Sequence, residues 1–382
     1  MNLNSLLYRK KENISLRIHE KLKNRKNKSI STEKNIIPDN KNTYSMNMLY
    51  RKRANNSIDN IKSKKQKINN DNLNYLYNIL ISLHPFYYIN FDDLKYNLND
   101  IIYYSEDSTL YKGKYFHNDI CIKEINNINN LSETELDKIK NEIDTSIKLR
   151  HKNIINTLGY SFNANYTKIF IISEYMKNKS LRAYIDSNKG NITLKQKLLF
   201  VYEIALAIEY MHTRNNKILH RDIKSSNILL DDNLHCKLCD FGMSKYYDNE
   251  QKIKVENEKG NKNMTTNYQT NSQSTLFWMS PEYLCDGIIN EKSDIYSFGI
   301  LIWEIFMEDT SPYKNININD YILGNKEIVY NKRPIINNQF FVDCPKIKEL
   351  INIMWDTDYN KRPNIENVLN LLEDLNNQYS FL

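Results

Sequence analysis

Four side chains that could bind a divalent cation, orient a reacting hydroxyl or stabilise negative charge lie close together in the stretch HRDIKSSNILLDDNLHCKLCDFG. Asp222, Lys224 and Asn227 follow a short apolar strand, and Asp240 follows a second one. The Asp-Asp-Asn turn at 231–233 between the strands predicts a hairpin. This hairpin would bring Asn227 and Asp240 to the same end, and an amide oxygen with a carboxylate suits a cation such as Mg²⁺.

The order of these residues resembles the catalytic loop and the metal-binding segment of eukaryotic protein kinases, H-R-D-x-x-x-x-N followed by D-F-G. The resemblance implies that Asp222 orients an attacking hydroxyl and that Lys224 stabilises the transferred phosphoryl group. It also implies that Asn227 and Asp240 bind Mg²⁺ beside ATP. If they were ordinary turn residues, the complete ordered set would be unexpected.

A second pair of charged residues is expected upstream, before the R-H-K-N-I sequence. Ile-Cys-Ile-Lys at 120–123 matches the V-A-I-K strand of the family, so Lys123 should reach the α- and β-phosphates. Ser132 and Glu135 have capping-box spacing and predict a helix start. By the register of the family, Glu142 on that helix is the predicted ion-pair partner of Lys123.

The chain departs from the family in the loop that covers the phosphates. When Leu-Tyr-Lys-Gly at 110–113 is aligned with the V-Y-K-G of the family, Tyr103, Ser105 and Ser108 occupy the positions of three glycines. Glycine allows the backbone to approach phosphate oxygens and to turn freely. We therefore expect a stiffer loop and weaker ATP binding.

The resemblance also implies a nucleotide pocket and a weakly held helix behind it. A small residue, Ser173, takes the gatekeeper position, and polar Ser146 and Thr157 stand where the family packs apolar side chains. Each buried polar group without a hydrogen-bond partner lowers the stability of the fold by on the order of 1 to 3 kcal/mol. The residues implied to line the ATP site are Ser105, Leu110, Cys121, Lys123, Ser173, Glu174, Met176 and Leu229.

The implied fold class is α+β, a bilobal kinase domain at 91–382 with a β-rich small lobe at 91–175 and a helical large lobe at 177–382. Apolar periodicity predicts a core helix over 194–212. Within the large lobe, Arg362 is expected to pair with Glu282, and Asp294 to hold the catalytic loop. Thr275 is expected to contact Asp222 and Lys224.

Residues 1–90 differ in composition from the rest. They carry 18 Lys and Arg against 6 Asp and Glu, whereas the remainder carries 35 against 40. A segment rich in Asn, Lys and Ser buries too little apolar surface to fold, so this tail is predicted to be mostly disordered. Short helices are expected near 14–22 and 73–83, and the apolar stripe of the second could dock on the kinase body.

The expected partners are proteins bearing serine or threonine hydroxyls. Lys224 in the K-S-S-N loop, with W-M-S-P-E and R-H-K-N-I, resembles the tyrosine-kinase-like group of Ser/Thr kinases. An upstream kinase or autophosphorylation could modify the activation segment, residues 240–282. Its candidate sites are Thr265, Thr266, Tyr268, Ser272, Ser274 and Thr275. The rival hypothesis is a pseudokinase scaffold.

The compartment is predicted from cysteine use and hydropathy. Five cysteines in 382 residues form no disulfide framework, and no apolar run is long enough to span a membrane. We expect a cytoplasmic protein, with nuclear import through two basic clusters in the tail as an alternative. Nucleic acid is not an expected partner, because no aromatic residues are interleaved with the basic ones.

Overall fold

The computed structural model describes residues 71–247, 253–254, 273–314 and 326–379. The helix predicted near 14–22 and the basic clusters lie outside the described residues. So do most candidate phosphorylation sites of the activation segment. No helix within the described ranges is both long and apolar enough to cross a lipid bilayer.

The small lobe is built on a five-stranded antiparallel sheet with strand order β1-β2-β3-β5-β4. Buried and exposed residues alternate along β2 and β3, as expected for strands with one face on the core. The strands are β1 (Leu94–Tyr104), β2 (Ser108–Tyr115), β3 (Asn118–Ile125), β4 (Thr157–Phe162) and β5 (Ile169–Glu174).

Two helices pack together beside this sheet. Helix α1 (Asp71–Leu83) confirms the helix predicted over 73–83, and it packs on the small lobe although the sequence division placed it in the tail. Helix α2 (Glu133–Lys148) begins at Ser132 with the predicted capping box. Short 3₁₀ turns at Pro85–Tyr87, Phe91–Asp93 and Ile128–Asn130 complete the lobe.

The large lobe is helical around one apolar core, so the expected α+β bilobal fold is confirmed. The helix predicted over 194–212 has those bounds, and almost all of the helix at 291–307 is buried. The helices are α3 (Leu181–Ser187), α4 (Leu194–His212), α5 (Pro281–Asp286), α6 (Glu291–Met307), α7 (Lys326–Asn331), α8 (Phe340–Asp343), α9 (Pro345–Met354) and α10 (Ile365–Tyr379).

Three small two-stranded sheets position the loops of the large lobe. The pairing of Ile228 with Leu238 places Asn227 and the residues after strand 236–238 at one end of a hairpin, as predicted. The strands are β6 (Lys217–Leu219) with β9 (Lys245–Tyr247), β7 (Ile228–Leu230) with β8 (Cys236–Leu238), and β10 (Ile253–Lys254) with β11 (Ile288–Ile289).

Candidate active site

A lysine–glutamate ion pair connects β3 to α2. Lys123 Nζ lies 2.6 Å from Glu142 Oε1, and both side chains are largely buried. Burial by itself would lower the pKa of Lys123, but the carboxylates of Glu142 and Asp240 outweigh it and raise that pKa. The predicted pair is therefore formed, with a charged ammonium that also faces Asp240.

Asp240 lies directly after β8 in a left-handed backbone conformation, with φ of 66°. A non-glycine residue rarely adopts this conformation, and such strain clusters at functional sites. Burial would raise the pKa of Asp240, but the Lys123 cation, aided by Lys224, lowers it. A methyl group added at Gly242 would lie 3.4 Å from Asp240 Oδ1 and 3.5 Å from Glu142 Oε2. The carboxylates of α2 and of the hairpin thus converge on one place.

The catalytic-loop residues form a second cluster. Asn227 Nδ2 donates to the Asp222 backbone oxygen and to Asp222 Oδ2, both at 2.8 Å. Lys224 Nζ lies 2.9 Å from Asp222 Oδ2 and donates to Thr275 Oγ1 at 2.8 Å. The expected contact of Thr275 with Lys224 is therefore confirmed. Asp222 Oδ1 is buried and accepts no hydrogen bond from the described residues.

Asp294 holds the backbone of the catalytic loop, as predicted. Its carboxylate accepts from the backbone amide of His220 at 2.9 Å and from that of Arg221 at 2.8 Å. Arg221 has a left-handed φ of 69°, so these bonds stabilise a strained turn. His220 Nε2 also lies 3.0 Å from the Cys239 carbonyl, which ties the loop to the hairpin.

The residues predicted to line the nucleotide site lie on neighbouring strands. On the sheet, Leu110 is opposite Lys123, and Cys121 is opposite Ser173. Burial raises the pKa of the Cys121 thiol to about 11, so this thiol is uncharged at neutral pH. The remaining members are half-buried or buried near the junction of the lobes: Glu174 at the end of β5, Met176 after it, and Leu229 on β7.

One of these predicted pocket residues also makes polar contacts across the lobes. The carboxylate of Glu174 accepts from Lys237 Nζ at 2.7 and 2.8 Å and from the Asn156 backbone amide at 2.7 Å. The two bonds from Lys237 fix the end of β5 against β8. This contact could not be predicted from the sequence, because Lys237 alone is typical of an ordinary strand residue.

Side chains close the tip of the β1–β2 hairpin. Ser105 Oγ donates to the Ser108 carbonyl at 3.1 Å and accepts from the Ser108 amide at 3.2 Å. Asn126, which follows β3, donates to the Ser105 carbonyl at 3.0 Å and accepts from Thr109 Oγ1 at 3.1 Å. Tyr103 is exposed on β1. No sequence motif indicated the role of Asn126.

The two polar residues expected behind α2 are buried, with 3% of each exposed. Ser146 Oγ donates to the Ile143 carbonyl within the same helix at 3.2 Å, so this hydroxyl has an acceptor. Thr157 pairs with Ser173 across the β4–β5 ladder. Phe241 and His220 lie edge to face with ring centres 5.3 Å apart.

Glu304 on α6 is a site residue that sequence analysis missed. It is fully buried and joins the catalytic loop to the end of the activation segment. Glu304 Oε2 accepts from the Ser225 amide at 3.1 Å and from Trp278 Nε1 at 2.8 Å, while Oε1 lies 2.5 Å from Ser225 Oγ. A single acidic residue inside the apolar run ILIWEIFM was the available signal.

We expect Glu304→Gln to match the parent protein in stability at pH 4 and to exceed it at pH 8. Burial raises the pKa of Glu304 from 4.5 to about 7. The stability that the protonated Glu304 side chain gives the parent protein is therefore complete below pH 4.5 and is lost as the pH rises through 7. Glutamine places an NH₂ group beside Ser225 Oγ, as the protonated acid places its OH. Urea unfolding at both pH values should show a gain on the order of 3 kcal/mol at pH 8.

Glu373→Gln is the control for this prediction, because Glu373 is exposed on α10. Its unfolding free energy should differ from that of the parent by less than about 0.5 kcal/mol at both pH values. A Glu304→Gln protein that is less stable than the parent at pH 8 would show that Glu304 is held as an anion.

Comparison with known proteins shows similarity to protein kinases. The family model described as protein tyrosine and serine/threonine kinase matches residues 104–372. Dual specificity protein kinase shkA of Dictyostelium discoideum is 31% identical over 70% of the chain, and shkC of the same organism is 28% identical over 72%. The Arabidopsis thaliana protein named probable serine/threonine-protein kinase SIS8 is 28% identical over 70%.

These relatives are longer than the matched region. The alignments cover 47% of shkA, 51% of shkC and 24% of SIS8. The matched region contains the lysine–glutamate pair, the catalytic loop and the hairpin described above. Because the family model matches well over half of the sequence, the chain belongs to the protein tyrosine and serine/threonine kinase family.

Proposed function

We propose that this chain is a serine/threonine protein kinase that transfers the γ-phosphoryl group of Mg-ATP to protein hydroxyls. The observation that carries the proposal is Asp222 Oδ1, a buried carboxylate oxygen with no hydrogen-bond donor among the described residues. A buried polar atom without a partner needs an explanation. A substrate hydroxyl would be the missing donor.

The neighbours of Asp222 support this role. Its other oxygen, Oδ2, is fixed by Asn227 and Lys224, so Oδ1 keeps one orientation. Lys224 would stabilise charge on the phosphoryl group, and its bond to Thr275 holds the end of the activation segment beside it. Lys123, oriented by Glu142, would bind the α- and β-phosphates.

The hairpin residues fit a magnesium ion. Asp240 is ionised at neutral pH because its pKa is lowered, and the hydrogen bonds of Asn227 to Asp222 use its amide nitrogen. The Asn227 side-chain oxygen and the Asp240 carboxylate are therefore the two ligands proposed for Mg²⁺. When bound, Mg²⁺ would neutralise charge on the phosphates.

Specificity for serine and threonine is inferred from the loop sequence. Lys224 and the K-S-S-N pattern resemble the tyrosine-kinase-like group of Ser/Thr kinases, and SIS8 is named a serine/threonine kinase. The shkA and shkC proteins are named dual specificity kinases, so tyrosine hydroxyls are part of the substrate test. We also propose that the chain acts on protein substrates and is activated by an upstream kinase or by autophosphorylation. Its proposed location is the cytoplasm.

A nucleotide-binding pseudokinase is the second candidate, and the β1–β2 hairpin favours it. Ser105, Ser108 and Asn126 fix the tip by side-chain hydrogen bonds where flexible glycines would close over phosphates. We propose that this tip weakens ATP binding without removing it, because Lys123, Glu142 and Asp240 converge independently of the tip.

The test is a melting-temperature measurement with and without millimolar Mg-ATP, followed by transfer of radiolabelled phosphate to a basic protein and to the chain itself. The parent chain is expected to be stabilised by Mg-ATP and to transfer phosphate. In Asp240→Asn both effects should weaken in Mg²⁺, transfer by about 100-fold, because a charged metal ligand is lost. Stabilisation without transfer would establish the pseudokinase, and no stabilisation would refute both candidates.

A further inference from the structure

Helix α1 shares its core with α2, the helix that carries Glu142. Leu73, Leu76 and Leu80 of α1 are completely buried. They belong to the same apolar cluster as the buried face of α2, which consists of Leu136, Ile139, Ile143 and Ile147. Since Ile143 directly follows Glu142, the packing of α1 bears on the part of α2 that reaches the active site.

Polar contacts attach the segment 72–84 to both ends of α2. Near the start, Asn72 Nδ2 donates to the backbone oxygens of Ile128 and Leu131 at 3.1 and 3.0 Å, just before the Ser132 cap. Near the end, His84 Nε2 lies 2.7 Å from Asp144 Oδ1. The position of α2 is thus fixed on both sides of Glu142.

The segment after α1 is in turn attached to the sheet. The Tyr160 hydroxyl donates to the His84 carbonyl at 3.2 Å, and the Ile89 amide donates to the Tyr160 carbonyl at 2.8 Å. A Cβ at Gly159 would lie only 2.0 Å from the Tyr87 carbonyl oxygen, so only glycine permits this close approach. Because β4 fixes residues 84–89, α1 can act as a rigid support for α2.

We propose that residues 72–84 are a positioning element that holds α2 where Glu142 reaches Lys123. Asn72 and His84 act through Glu142 and touch neither substrate nor nucleotide. The inference rests on the proposed kinase function for its effect on rate. It also explains what holds α2 in place, since Ser146 and Thr157 replace apolar packing behind that helix.

The test is a double-mutant cycle in the full chain. Asn72→Ala with His84→Ala is expected to lower kcat/KM for ATP by about tenfold, because the lost side-chain hydrogen bonds loosen both ends of α2. In a Glu142→Gln background the same two substitutions should change kcat/KM by less than about twofold, since the ion pair they support is already gone. Equal losses in both backgrounds would overturn the proposal.

Asn78→Ala is the matched control, because Asn78 is exposed on the same helix and, among the described residues, its side chain bonds only to Asn74. It should leave kcat/KM within about twofold of the parent. If Asn78→Ala lowers the rate as much as the Asn72/His84 variant, the effect is one of general helix stability and the positioning role is refuted.

Amide hydrogen exchange provides a readout that does not require phosphate transfer. In the Asn72/His84 variant, the amides of α2 at 136–148 are expected to exchange about tenfold faster, while those of α10 keep the parent rate. Unchanged exchange in α2 would overturn the inference even in an active kinase. A parent chain that transfers no phosphate refutes the proposed function alone, and exchange in α2 still decides the positioning role.

Discussion

Asp222→Asn is expected to lower phosphate transfer by about 1000-fold while Mg-ATP still raises the melting temperature. The amide oxygen can take the place of Oδ2, where Asn227 and Lys224 donate, so the loop keeps its structure. The amide nitrogen then replaces the free Oδ1, and it cannot accept a hydrogen bond from a substrate hydroxyl. Radiolabel transfer and thermal shift on the same preparation measure both effects.

Asp232→Asn is the matched control for this prediction. Asp232 lies on the turn between β7 and β8, and its side chain is well exposed. Its ion-pair partner is Lys177, whose Nζ lies 3.9 Å from Asp232 Oδ2. Its transfer rate should equal that of the parent. If Asp222→Asn kept the parental rate, Asp222 would not orient the attacking hydroxyl, and the role proposed from its free oxygen would be wrong.

Several site contacts could be predicted from the sequence because their information is local or carried by a long motif. Ser132 and Glu135 have the spacing of a capping box, and the structure contains one. The turn at 231–233 set the register that brings Asn227 and Asp240 together. The Lys123–Glu142 pair spans 19 positions, and only the family register connected its members.

Other contacts could not be predicted because they depend on tertiary packing between distant segments. Glu304 meets Ser225 and Trp278 only after α6 crosses beneath the catalytic loop, 79 and 26 positions away. Asn72 reaches Ile128 across 56 positions through backbone acceptors, and a backbone oxygen leaves no trace in the sequence. An apolar stripe could indicate that helix 73–83 docks, but not which helix receives it.

Arg362→Met is expected to destabilise the folded chain by about 3 to 5 kcal/mol. Arg362 forms a two-pronged ion pair with Glu282, at 2.8 Å for each of Nη1–Oε1 and Nη2–Oε2. It also donates to the backbone oxygens of Asp356 and Lys292. Methionine fills much of the volume but leaves a buried carboxylate without its cation. Urea unfolding monitored by circular dichroism measures the loss.

Two further variants separate the charge effect from lost packing. Arg362→Lys keeps the charge but not the planar two-pronged geometry, so its free energy of unfolding should fall by less than that of Arg362→Met. Adding Glu282→Leu to Arg362→Met removes the unpaired carboxylate and should recover most of the stability. Because Glu282 lies in the first turn of α5, directly after the Trp-Met-Ser-Pro sequence, the Arg362→Met variant should also loosen the activation segment that places Thr275 beside Lys224. If the double variant is no more stable than Arg362→Met, the unpaired charge is not the cause of the loss.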